Sequence, residues 1–77
     1  MKIEDLQLVK RIVEGALMAA DKPLSRRAIK DLFDELECPE DELLDQALEA
    51  LQQDNEERGF ELVKVASGYR FQVKQEL

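Results

Sequence analysis

From Leu6 to Ala20 the apolar residues fall at Leu6, Val9, Val13, Ala16, Leu17 and Ala20, the three-and-four spacing of an amphipathic helix. Asp21, Lys22 and Pro23 break that pattern. Ser25 then stands where an N-cap belongs, with Leu24 placed to staple against Ile29. The second helix this predicts carries Ile29, Leu32, Phe33 and Leu36 on one face over about three turns. It should end before Cys38-Pro39, because the residue ahead of a proline avoids helical angles. Pro39 suits the first position of a third helix, and Glu40, Asp41 and Glu42 supply the negative charge that a helix N-terminus favours. The core stripe of this helix is Leu43, Leu44, Ala47, Leu48 and Leu51, and the helix should reach about Glu56. Asn55 to Gly59 reads as a polar exit loop.

After Gly59 the period changes from 3.6 to 2. Phe60 to Ala66 is a β-rich run, and Tyr69, Phe71 and Val73 alternate with Arg70, Gln72 and Lys74. Ser67-Gly68 between the two runs predicts a tight hairpin turn. Three helices followed by a β-hairpin is the element order of an α+β winged helix-turn-helix, with the hairpin as the wing. The 77 residues suffice for one such domain, because a chain of that size removes only about 60% of its unfolded surface from water.

Composition narrows the functional classes. Eighteen acidic residues against eleven basic ones give a net charge of -7, which repels nucleic-acid phosphates unless the cations are segregated. There is no histidine, and the single cysteine, Cys38, has neither a disulfide partner nor a zinc-ligand cluster, so it reads as a small semi-buried residue in a reducing compartment. Neither a glycine-rich phosphate loop nor a paired acid and base is evident, so the expectation is a protein without catalytic residues, cofactor or metal. No apolar run approaches the roughly 20 residues of a membrane span, and the expected location is the cytoplasm.

Three surface features carry functional content. The third helix, which a DNA-binding relative would lay in the major groove, turns Asp41, Glu42, Asp45, Gln46, Glu49 and Gln53 away from its leucines. That face is either simply solvated or a docking site for a partner through Glu42, Asp45, Gln46 and Glu49. Basic residues gather at Lys22, Arg26, Arg27 and Lys30, with Arg70 and Lys74 on the wing. They balance nearby carboxylates, meet an acidic partner, or touch a phosphate backbone. Finally, the first helix carries a second apolar stripe at Leu8, Ile12, Gly15 and Ala19, more than one-sided packing requires. Gly15 and Ala19 would let another backbone approach closely, which marks these four residues for self-association, the alternative being a helix buried all round.

The order and spacing of several segments resemble a known family. Val13-Glu14-Gly15-Ala16-Leu17-Met18, Lys22-Pro23-Leu24-Ser25, the helix Leu43 to Leu51, Phe60-Glu61-Leu62-Val63 and Gly68-Tyr69-Arg70-Phe71-Gln72-Val73 are similar to the amino-terminal winged-helix domain of the segregation and condensation protein B family. The resemblance implies a non-enzymatic subunit of the bacterial structural-maintenance-of-chromosomes complex. It implies a homodimer that binds the kleisin subunit, segregation and condensation protein A, and through it the ATPase, near the nucleoid. It also implies a second winged-helix domain following this one. The competing expectation is a DNA-binding transcriptional regulator using Arg26, Arg27, Lys30, Arg70 and Lys74 as backbone contacts.

Overall fold

A computed structural model describes residues 2–54 and 58–75. Helix α1 spans Leu6–Ala19 and is capped by Asp5, whose carboxylate accepts from the backbone N–H groups of Gln7 and Leu8 at 3.0 and 3.4 Å. Helix α2 spans Arg26–Lys30 and α3 spans Asp41–Asp54. Strands β1 (Phe60–Val65) and β2 (Gly68–Val73) form an antiparallel hairpin in which Leu62 faces Phe71 and Val65 faces Gly68. The fold is an α+β winged helix.

The core is built where the apolar stripes meet. Val9, Val13 and Leu17 of α1, Ile29 of α2, Leu44, Ala47, Leu48 and Leu51 of α3, and Leu62 of β1 are all buried. Burying one such large side chain contributes about 1.5–3 kcal/mol, so the α1–α3 contact and the Leu62 contact supply most of the apolar driving force. Leu24 and Phe71 pack on the margin of this cluster, Leu24 from the turn before α2 and Phe71 from the wing.

Ser25 caps α2 as the sequence suggests, accepting from the Ala28 N–H at 3.0 Å. The helix is much shorter than three turns, however. It gives way after Lys30 to tighter turns, with the N–H groups of Leu32 and Phe33 bonding three residues back to Ile29 and Lys30. Asp31, Asp34, Glu35 and Glu37 explain the early stop, because carboxylates are unfavourable at the negative end of a helix dipole. Leu32 and Leu36, expected on the core face, are consequently exposed, at 44% and 77%.

Two further boundaries shift. Pro39 precedes α3 instead of opening it: the Glu40 carbonyl accepts from the Leu44 N–H at 3.1 Å, and Pro39 itself is buried. The α3 end expected near Glu56 lies outside the described residues. In the hairpin, the register makes Ala66-Ser67 the connecting pair. Gly68, with φ of 141°, is the first residue of β2, so the turn falls one position earlier than the sequence suggests.

The linker between α1 and α2 joins the sheet at one point. Leu24 and Tyr69 form an antiparallel bridge, so the wing is tied to the start of the helix-turn-helix unit. On the other side, the Ile3 N–H donates to the Glu37 carbonyl at 3.0 Å, and Lys2 pairs with Glu40, which holds the amino-terminal arm along the α2–α3 connection.

Candidate interaction surfaces

The two apolar stripes of α1 differ in burial, with Ile12, Leu6, Ala16 and Ala20 half-buried between the extremes. The spacing of Val9, Val13 and Leu17 sends one side into the core, while Leu8, Gly15 and Ala19 are exposed and Ile12 is half-buried. A Cβ placed on Gly15 would meet nothing within 4 Å, so this glycine is not needed for packing inside the domain. Leu8, Gly15 and Ala19 therefore remain uncovered by the described residues, and α1 is not buried all round. Met18 is also exposed and lines a shallow apolar hollow with Leu17, Ala20, Phe60, Phe71 and Val73, where the end of α1 meets the open end of the hairpin.

The outer face of α3 presents Glu42, Asp45, Gln46 and Glu49 to solvent. Asp45 is engaged within the domain. Glu42 and Gln46 instead line a groove with Leu43, Glu40 and the arm residues Lys2, Ile3 and Glu4. The acidic face is thus split into an inner edge held by α2 and an outer edge along the arm.

The basic residues of α2 meet that inner edge. Arg26 donates through Nε to Asp45 Oδ1 at 3.0 Å, pairs with the same oxygen through its NH2 nitrogen at 2.9 Å, and donates to the Asp41 carbonyl at 3.2 Å. Lys30 Nζ lies 2.8 Å from Asp41 Oδ1, and this hydrogen bond holds the Asp41 carboxyl below the usual aspartate range. The Glu40 carboxylate has the mirror effect on Lys2, whose ammonium it raises above the usual lysine value. Arg26, Arg27 and Lys30 line one cleft with Asp31. Arg70 and Lys74 do not line it, and Arg70 donates to Gln72 on its own strand at 3.3 Å. The expected basic set is therefore divided, with Arg26 and Lys30 neutralised by α3. Lys64, which the sequence reading passed over, lines a second shallow cleft with Arg26, Ser25 and the hairpin tip, and stands 5.9 Å from the Tyr69 ring centroid. Its strand register was the missing signal, since alternation alone did not show which cation faces the helices.

With this geometry in view, similarity to known proteins is informative. The family model described as segregation and condensation complex subunit ScpB matches residues 11–77. The chain belongs to the ScpB family. A relative named segregation and condensation protein B homolog, from Coxiella burnetii (strain RSA 493 / Nine Mile phase I), is 40% identical over 65 residues, covering 84% of this chain and 31% of that protein. The present chain thus spans about a third of the length of that ScpB relative. A crystal structure of a conserved hypothetical protein from Chlorobium tepidum superposes with a TM-score of 0.75 at 23% identity, over 92% of this chain and 44% of the other, and supports the winged-helix fold. In this ScpB chain, no helix among the described residues is long and apolar enough to cross a membrane.

Proposed function

We propose that this chain is the part of a non-catalytic segregation and condensation subunit that pairs with a second copy of itself through the outer stripe of α1. Leu8, Ile12, Gly15 and Ala19 form the contact. The observation that carries this reading is the open space over Gly15 beside exposed Leu8 and Ala19. A glycine inside a helix costs up to about 1 kcal/mol relative to alanine, and no contact among the described residues offsets that cost.

The paired subunit binds the kleisin, segregation and condensation protein A, through acidic surface that includes Glu42, Asp45, Gln46 and Glu49, and through the kleisin reaches the structural-maintenance-of-chromosomes ATPase. It works in the cytoplasm at the nucleoid, in chromosome condensation and partition. The pairing of Arg26 and Lys30 with Asp45 and Asp41 favours this reading over a DNA-binding regulator. Those cations already have anionic partners, and the helix that would enter a major groove carries carboxylates toward the phosphates.

Sedimentation equilibrium of the wild type beside Gly15→Glu tests the self-association. The variant leaves the monomer fold intact, because the new side chain enters open space, and it should sediment as a monomer where the wild type is a dimer. A monomeric wild type removes the α1 interface. Co-sedimentation with the purified kleisin subunit then tests the second step, and no complex at any concentration would place the kleisin contact elsewhere.

A further inference from the structure

We propose that the connection between α2 and α3 is a docking knuckle for a basic amphipathic segment of a partner protein. Residues 31–37 hold Leu36 at 77% exposure and Leu32 at 44%, four residues apart. The same seven residues contain Asp31, Asp34, Glu35 and Glu37, all exposed, and no cation. Large apolar side chains left in water gain from being covered, and the surrounding charge decides what can cover them.

None of that charge is taken up by an ion pair among the described residues, although Asp31 shares a cleft with Arg26, Arg27 and Lys30. The ion pairs among the described residues go to Glu40, Asp41, Asp45 and Asp54, and none goes to the four carboxylates of the knuckle. Nucleic acid and anionic lipid surfaces are repelled by such a rim. A peptide carrying lysine or arginine around an apolar stripe matches both features, with its stripe on Leu32 and Leu36 and its cations on the rim.

The knuckle is also held in shape before any partner arrives. Phe33 packs against the core beneath it. The Asp34 carbonyl accepts from the N–H groups of Glu37 and Cys38, both at 2.9 Å, and the Glu37 carbonyl accepts from Ile3 at 3.0 Å. A preorganised surface loses less conformational freedom on binding. The knuckle shares no residue with the outer stripe of α1, so the proposal does not rest on self-association.

The chain contains no tryptophan, so a synthetic peptide carrying one reports binding by its own fluorescence. The probe is an amphipathic peptide of roughly four helical turns, with leucines on one face, lysines on the other and a single tryptophan. A control peptide replaces its leucines by serine at equal charge. In about 0.15 M salt, the amphipathic probe should bind and should shift the backbone amide resonances of residues 31–37. Leu36→Ser, and separately the double variant Asp34→Asn/Glu35→Gln, should each weaken binding by about tenfold or more. Both variants change exposed side chains, and circular dichroism verifies their fold. Equal binding by the serine control, wild-type affinity in either variant, or amide shifts centred on α1 or α3 would overturn the proposal.

Discussion

Leu24 and Tyr69 exchange both backbone hydrogen bonds, Leu24 N–H to the Tyr69 carbonyl at 2.9 Å and Tyr69 N–H to the Leu24 carbonyl at 2.8 Å. The pair makes the α1–α2 linker a one-residue third strand and fixes the wing against the helices. Its closeness dictates the neighbouring residue, because a Cβ on Gly68 would sit 2.2 Å from the Leu24 carbonyl oxygen. The positive φ of Gly68 adds a second penalty for any other side chain.

Gly68→Ala should therefore destabilise the domain by about 2 kcal/mol or more, from backbone strain and from displacement of the Leu24 strand. Urea unfolding of the two chains measures it. A change below about 0.5 kcal/mol, the range of an ordinary surface substitution, would mean that the wing and linker separate without cost.

The two sides of α1 should respond differently to truncation. Leu17→Ala opens a hole in the core and should cost about 2–5 kcal/mol. Leu8→Ala, on the outer stripe, should change the stability of the monomer by no more than about 0.5 kcal/mol. Chemical denaturation at protein concentrations low enough to exclude self-association compares them directly. Equal costs would show that Leu8 is packed within the domain.

Asp41 reports on the α2–α3 ion pairs through pH. Its carboxyl is held below the ordinary value of 3.8, chiefly by the hydrogen bond from Lys30. The stabilisation linked to this group is thus fully present above about pH 3.8, where the unfolded chain is also ionised, and is lost as pH falls through the depressed native value. Carbon-13 titration of the Asp41 side chain should give a midpoint below 3.8 in the wild type and an upward move in Lys30→Met. An unmoved midpoint would assign the shift to something other than Lys30.

The sequence legibility of this domain follows from how local each signal is. Val9, Val13 and Leu17, and Leu44, Ala47, Leu48 and Leu51, mark their helices and core faces through spacing alone, because helical periodicity maps directly onto burial when one side packs. Ser25 as N-cap and the β2 strand are equally local, although Val73, on the apolar side of the expected alternation, is 71% exposed because it sits at the open end of the hairpin. The resemblance carried by Pro23-Leu24-Ser25 and Gly68-Tyr69-Arg70-Phe71-Gln72 pointed to the ScpB family from short-range pattern as well.

Contacts between distant residues were not legible in that way. Ile29, Leu32, Phe33 and Leu36 have helical spacing, yet α2 stops at Lys30, since the carboxylates that follow oppose the helix dipole and the chain must turn to bring Leu44 onto Ile29. Arg26 and Lys30 read as balancing the nearby Asp31 and Asp34 or meeting a partner, whereas the fold pairs them with Asp45 and Asp41 of α3. By itself, then, the sequence determined the order of the elements, the inward faces of α1 and α3 and the family, because those depend on neighbours within a few residues. Only the tertiary structure decided which cations are already paired, which leucines stay in water and why residue 68 must be glycine, because each depends on a partner that the fold brings from far along the chain.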